Sequence, residues 1–148
     1  MGNKALLVID MQPEFVSDTQ MNLLSSYIRY NSSKYVKIYQ TVYKRVAFNQ
    51  LEEILKWSGA DYHGEMISRN TYGLPELMLA RIKRYNEIEI IGANLDTSIL
   101  ATCFQLLDAG VNFELNTEHC YCTVDKLDKT YRQSVLKVMR RCFGKSIK

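Results

Sequence analysis

Acidic and polar side chains stand directly behind apolar segments at two places in the sequence. In ALLVIDMQPEF a run of Leu, Val and Ile ends on Asp10, and Gln12 and Phe15 follow. In IIGANLDTSIL an apolar run is followed by Asn94 and then by Ser98. A carboxylate can take up and return protons, and a hydroxyl among the free N–H groups of a helix start can support attack on a carbonyl carbon. These two segments are therefore the candidates for catalytic chemistry.

The polar residues of the second segment also have a purely structural interpretation. Asp96 and Thr97 are of the residue types that cap helices, and Ser98 would then be a small residue of the first helical turn. Taken alone, the segment favours this capping role over a catalytic one.

Strand-like and helix-like patterns alternate along the chain, which predicts an α/β fold. The strand patterns cover 4–10, 34–43, 65–68, 87–92 and 111–115, and the helical patterns cover about 19–30, 49–57, 75–85, 97–109 and 127–142. Such alternation gives right-handed crossovers, so we expect a three-layer α/β/α, Rossmann-like arrangement with a mostly parallel sheet and helices on both faces. Ligands bind outside the carboxyl ends of the strands in such sheets, which is where both polar segments fall.

Composition predicts one domain in a reducing compartment. The 148 residues are 47% hydrophobic, enough for one core, and we expect a single domain over 1–148. The first ten residues lack the apolar stretch of a signal peptide, and no window resembles a membrane span, so we expect a cytoplasmic protein without membrane contact. The four cysteines are expected to be unpaired thiols in or near the core.

Three segments together resemble the isochorismatase-like cysteine hydrolases, a family that includes nicotinamidases and N-carbamoylsarcosine amidohydrolases. ALLVIDMQPEF is similar to the opening strand of the family, with Asp10, Gln12 and Phe15 at the matching positions. IIGANLDTSILATCFQLLDAG is similar to the family's strand, turn and nucleophile helix, and ISRNTYGLPEL lies where the family has a Lys ahead of a helix. The resemblance extends over nearly the whole chain and implies the isochorismatase-like fold.

The family uses an Asp, a Lys and a Cys as its catalytic triad, and two of these three residue types differ here. The resemblance places Asp10 at the acid/base position, Arg69 at the Lys position and Ser98 at the Cys position. The nearest thiol, Cys103, is five residues beyond Ser98 and faces away from it on a helix. A hydroxyl is far less acidic than a thiol, and Arg stays protonated. Two outcomes remain open. In the first, Ser98 slowly hydrolyses a small amide, ester or other C–N compound, or supports a different reaction in which Arg69 binds a carboxylate through both of its nitrogens. In the second, which the residue types favour, hydrolysis is lost and the pocket binds a ligand or is vestigial.

The remaining site residues are expected around this triad. Phe15 and Trp57 are candidates for a pocket wall, and Gln12 and Asn94 for further contacts with a small substrate or ligand. Nicotinamidases bind a metal through an Asp-x-His motif after their second strand, but QTVYKRV at that place contains neither residue. The later DYH at 61–63 has the Asp-x-His pattern. A match of three residues occurs by chance, and a surface His near an Asp is the commoner explanation. We therefore expect no catalytic metal and no cofactor.

Two expectations concern partners. Family members commonly form dimers or tetramers, so the resemblance implies a homo-oligomer. From Asp125 onward, eight Lys or Arg stand against two Asp. These cations are Lys126, Lys129, Arg132, Lys137, Arg140, Arg141, Lys145 and Lys148. They could bind phosphates of a nucleic acid, or form a solvated helix face whose positive charges suit the carboxyl end of the helix dipole. The sequence favours the solvated face, so nucleic acid is not an expected partner.

Overall fold

A computed structural model describes residues 3–43, 64–122 and 129–148. The strands in these ranges are β1 (Lys4–Ile9), β2 (Lys37–Tyr43), β3 (Glu65–Arg69), β4 (Glu87–Ala93) and β5 (Phe113–Tyr121). The α-helices are α1 (Asp18–Asn31), α2 (Glu76–Ile82), α3 (Leu100–Asp108) and α4 (Lys129–Phe143). A π-helical turn, Leu95–Ile99, leads directly into α3.

The five strands form one parallel sheet in the order β3-β2-β1-β4-β5. This arrangement confirms the predicted α/β fold. The central strands β1 and β4 are neighbours, and Ile9 near the end of β1 is paired with Gly92 near the end of β4. The polar residues that follow these two strands are therefore brought to the same edge of the sheet.

Both faces of the central strand are covered, which explains why its sequence is a continuous apolar run rather than an alternating one. Residues 5–9 of β1 are fully buried. Leu7 and Ile9 belong to a cluster with the apolar residues of α2, α3 and α4. Leu6 and Val8 pack on the other side with Met21, Leu24 and Ile28 of α1. The described elements thus form three layers, as the alternating pattern predicts.

Local signals place most element boundaries within a few residues of the predicted ones. The α1 helix begins with a capping box, in which Ser17 Oγ accepts the Gln20 backbone N–H at 3.2 Å and Gln20 Oε1 accepts the Ser17 N–H at 2.9 Å. Pro75 lies at the cap of α2 rather than inside its first turn. The predicted helix at 49–57 falls outside the described residues.

The edge strand β5 differs most from expectation, because it runs from Phe113 to Tyr121 instead of ending at Leu115. A register shift in its pairing with β4 lets it continue, so that its last residues pair with Gly92 and Ala93. The chain end returns to the same strand, where Ile147 forms a bridge with Leu115. These contacts extend β5 as far as the edge of the sheet at which Asp10 lies. They cannot be predicted from sequence periodicity, because they join residues that are distant in the chain.

Candidate active site

Asp10 is the residue at which the chain leaves β1, and its side chain is completely buried. Its backbone is in the left-handed region, with φ of 47°. Asp and Asn adopt this conformation more readily than other residues with a side chain. The Asp10 N–H bonds to the carbonyl oxygen of Thr41 at 3.2 Å and to its Oγ1 at 3.1 Å, which ties the turn to β2.

The Asp10 carboxylate is hydrogen-bonded from two other strands, and Ser98 lies beside it. Thr41 Oγ1 on β2 donates to Oδ1 at 2.7 Å. Arg69 Nη2, at the end of β3, donates to Oδ2 in a salt bridge whose two side chains are essentially buried. Ser98 lies close enough to the same carboxylate for its hydroxyl to lower the pKa of Asp10. The structure therefore brings Asp10, Arg69 and Ser98 together, although 59 residues of sequence separate the first two.

Burial dominates the protonation of this carboxyl group. Loss of solvation raises the pKa of Asp10 from 3.8 to about 6, while the Arg69 charge, the hydrogen bond from Thr41 and the nearby Ser98 hydroxyl lower it by a smaller amount. The group is mainly ionised at neutral pH, yet its pKa lies close enough to neutrality for it to accept a proton. A carboxylate of this kind is suited to general-base work.

The raised pKa of Asp10 predicts how stability depends on pH. Because the folded-state pKa is above the unfolded one, the contribution of Asp10 is fully present below about pH 4 and is lost as the pH rises through about 6. Two pKa units correspond to about 3 kcal/mol. We expect the free energy of unfolding of the wild type, measured by urea denaturation relative to Asp10→Asn, to fall by about this amount between acidic and neutral pH.

Asn is the matched replacement because it tolerates the left-handed backbone of Asp10 but does not titrate. Subtracting its stability at each pH removes the contribution of the other carboxyl groups. A difference that stays constant with pH, or that grows as the pH rises, would contradict the raised pKa.

The Arg69 side chain is fully enclosed and engaged on several sides. Besides Asp10, it donates from Nη1 to the carbonyl oxygen of Thr71, and its guanidinium lies over the ring of Tyr43, 5.1 Å from the centroid. Burial lowers the pKa of Arg69, and the negative charge of Asp10 opposes that shift. Its Nε is buried without a hydrogen-bond partner among the described residues. One N–H of the guanidinium thus remains available beside the carboxylate.

Ser98 is buried within the π-helical turn that follows β4. The peptide bond between Ala93 and Asn94 is cis, and the Asn94 carbonyl oxygen accepts the N–H groups of Thr97 at 3.3 Å and Ile99 at 3.0 Å. This turn starts the helix, and those of its first N–H groups that do not bond to Asn94 lack partners within the helix and carry partial positive charge. Ser98 therefore combines a carboxylate acceptor for its proton with a local environment that favours an oxyanion.

Cys103 does not substitute for the missing thiol at position 98. Its side chain is fully buried in the cluster between the sheet and helices α2, α3 and α4. Burial raises the pKa of the Cys103 thiol to about 12, so the reactive thiolate is scarce at neutral pH. Cys120 and Cys122 are also buried, in keeping with the expectation of core thiols.

The four predicted substrate contacts have different surroundings. Both amide atoms of Gln12 are used by the backbone of Tyr43, with Nε2 donating to its carbonyl oxygen at 3.2 Å and Oε1 accepting its N–H at 2.7 Å. Gln12 therefore holds the β1 loop against the end of β2. Asn94 is partly buried in the turn before Ser98. Trp57 lies outside the described residues.

Phe15 is partly buried beside the site, where it contacts an aromatic ring and lines a cavity. Its ring lies 6.4 Å from that of Tyr43, the residue that stacks under Arg69. It also lines a cavity of about 290 Å³ together with Pro13, Glu14, Val16, Ser17, Gln20 and Cys122. The predicted place of Phe15 in a pocket wall is compatible with both contacts.

Sequence reasoning missed two residues of the site, Thr41 and Tyr43. Thr41 holds the Asp10 carboxylate, and Tyr43 stacks on Tyr72 with ring centroids 5.5 Å apart and planes within 10°. Their position near the end of β2, which neighbours β1 in the sheet, was the feature that could have pointed to them.

Among the described residues, no group of three His, Cys, Asp or Glu side chains is arranged to hold a metal ion. No helix in the described ranges has the length and hydropathy needed to cross a membrane.

Comparison with solved structures identifies the architecture. A nicotinamidase from Staphylococcus aureus aligns over 100% of both chains, with a TM-score of 0.72 and 18% sequence identity. An isochorismatase family protein from Desulfovibrio vulgaris covers 96% of this chain and 92% of its own, with a TM-score of 0.74 and 13% identity. This chain has the isochorismatase-like hydrolase fold.

The isochorismatase-like fold also occurs in a protein described by a different activity. The MAR1 ribonuclease from Caenorhabditis elegans matches 96% of this chain and 74% of its own, with a TM-score of 0.74 and 16% identity. No protein-family model and no curated protein matches the sequence. The structural similarity supports the isochorismatase-like fold. Sequence identities this low do not carry an activity over to this chain, so the chemistry depends on the residues of the site.

Proposed function

We propose that this chain is a hydrolase of the isochorismatase-like fold that acts slowly on a small amide, ester or other C–N compound, with Ser98 as nucleophile and Asp10 as acid/base. The observation that carries the proposal is the position of the buried Ser98 beside a buried carboxylate whose pKa is about 6. A nucleophile and a base within hydrogen-bond reach are the minimum arrangement for covalent catalysis at a carbonyl carbon.

The reaction follows from this pair. Ser98 Oγ forms a bond to the carbonyl carbon and its proton passes to Asp10, while the first-turn N–H groups stabilise the oxyanion. As the bond to the leaving amine or alcohol breaks, Asp10 returns the proton to it. Water then attacks the Ser98 ester, gives a proton to Asp10, and releases the acid as Ser98 Oγ recovers its hydrogen.

Arg69 contributes to the proposed reaction in two ways. It keeps Asp10 largely ionised at neutral pH, because the neighbouring positive charge lowers the pKa of that carboxyl group. Its unpartnered Nε is a buried donor of the sort that native proteins seldom leave without a function. An oxygen atom of the substrate or a water molecule would satisfy that donor.

Turnover is expected to be slow because of the residue types. An alcohol is much less readily ionised than a thiol, and Asp10 is a modest base that is already held by Arg69 and Thr41. Replacing Ser98 by Cys restores the more acidic nucleophile in the same turn. The alternative is a non-catalytic binding protein on this fold, in which the same three residues hold a ligand that is not cleaved.

The test is hydrolysis of a panel that includes nicotinamide, N-carbamoyl compounds, isochorismate and simple activated esters. We expect low activity in the wild type and a loss of at least about a hundredfold in Ser98→Ala and Asp10→Asn. We expect Ser98→Cys, and Ser98→Cys with Arg69→Lys, to be faster than the wild type. Intact-mass analysis with an activated ester should detect one acyl group on the wild type and none on Ser98→Ala.

Ser134→Ala is the matched control, since Ser134 is an exposed helix residue whose hydroxyl bonds only locally, to the Thr130 carbonyl oxygen. This variant should keep full activity and full acylation. If only the Ser98→Cys variants are active and the wild type is not acylated, the wild type is not a hydrolase. The alternative, a non-catalytic binding protein, would then be the better description.

A further inference from the structure

We propose that one face of α4 is a binding surface for single-stranded nucleic acid. The basic surface consists of Lys129, Lys137, Arg140 and Arg141, whose side chains are all exposed. At about 100° per residue, the four lie within about a third of the helix circumference. Leu136, Met139 and Phe143 form the adjacent stripe of the helix and are buried in the core. The charges are therefore displayed together and outward.

The cations of the basic surface have no acidic partner among the described residues, whereas several cations elsewhere do. Lys4 contacts three carboxylates, the nearest at 2.7 Å, and Arg81 binds Glu65 at 2.6 Å. None of the four residues of the basic surface forms a salt bridge with a described residue. From 129 to 148 the sequence contains no Asp or Glu at all. This concentration of unneutralised charge complements a polyanion.

The basic surface is held rigidly on the body of the protein. Arg132, which is not part of the surface, donates to the carbonyl oxygens of Thr117 and Cys120 on β5. Beyond α4, the Lys148 N–H bonds to the Leu115 carbonyl oxygen at 3.0 Å, and Thr117 Oγ1 bonds to the Lys148 carbonyl oxygen at 2.7 Å. A fixed row of cations loses less conformational entropy on binding than a disordered basic tail does.

Nucleic acid fits this surface better than an anionic membrane does. Most apolar side chains of α4 are committed to the core, and the two that are exposed, Tyr131 and Val138, are too few to form the broad apolar face that inserts into lipid. The ring of Tyr131 is 38% exposed on the next face of α4, about 80° around the helix from Arg141, where a base of a flexible single strand held on the basic surface could stack. Its hydroxyl bonds to Asp96 at 2.7 Å, which places the start of α4 beside the turn that contains Ser98.

The experiment is fluorescence anisotropy with a labelled oligouridine, titrated with the full chain at several salt concentrations. We expect binding that weakens as salt is added. The variant Lys137→Gln/Arg140→Gln/Arg141→Gln should bind at least about tenfold more weakly at low salt. It should also reduce the slope of log affinity against log salt by about 2, because each lost phosphate contact removes about 0.7 from that slope.

A charge-matched variant, Lys34→Gln/Lys83→Gln/Arg84→Gln, removes three exposed cations outside α4 and should bind like the wild type. Equal losses in the two triple variants, or no binding of oligouridine by the wild type at low salt, would overturn the proposal. So would binding to vesicles that contain phosphatidylserine without binding to oligouridine. Ser98→Ala should bind oligouridine normally, so failure of the proposed hydrolysis leaves this result unaffected.

Discussion

Replacement of Gly92 by Ala is expected to lower the free energy of unfolding by at least about 4 kcal/mol, enough to prevent folding of a marginally stable domain. A Cβ at this position would lie 2.1 Å from the Ile9 carbonyl oxygen and 2.7 Å from the Ile9 nitrogen. Both are backbone atoms of the central strand and cannot move aside. The φ of Gly92 is also 121°, which residues with a side chain rarely adopt.

Gly110→Ala is the control for the Gly92 prediction. Gly110 also has positive φ, at 70°, but a Cβ there meets no atom within 4 Å. We expect a cost of about 1 kcal/mol at Gly110, from backbone conformation alone. Urea denaturation and circular dichroism of the two variants measure the contribution of contact with β1. Similar stabilities would show that close packing of β4 on β1 beside Asp10 is not required.

Replacement of Arg69 by Met is expected to lower the free energy of unfolding by about 3 to 5 kcal/mol at neutral pH, because it leaves the Asp10 carboxylate buried without its counter-charge. The Arg69 charge lowers the pKa of Asp10, so its removal raises that pKa above about 6. The destabilised variant should therefore recover stability as the pH falls and Asp10 becomes neutral. Urea denaturation at neutral and mildly acidic pH measures both effects.

Two further variants separate charge from shape at position 69. Arg69→Lys keeps the positive charge but cannot reach both Asp10 and Thr71 with a planar fork, so a smaller loss is expected. The double variant Asp10→Asn/Arg69→Met removes both charges and should lose less stability than the sum of the single variants. Strict additivity of the two single losses would mean that the buried pair makes no energetic contribution as a pair.

Much of the fold could be predicted because it depends on local patterns. The apolar runs ending at Asp10 and Gly92 mark strands that are covered on both faces, and the Ser17 capping signal marks the start of α1. The position of Asp10 and Ser98 at strand ends follows from the same patterns. The length of β5 could not be predicted, because it depends on a register shift and on contacts with the chain end.

The order of residues along the chain places a carboxylate after β1 and a hydroxyl in the turn after β4. How these two groups behave depends on the surroundings that folding gives them. The strand order brings Thr41, Arg69 and Ser98 to the Asp10 carboxylate, and the burial of that carboxylate sets its pKa at about 6. The reason is physical. Strand patterns and caps depend on near neighbours in the chain, whereas solvation and charge pairing depend on groups that only folding brings together.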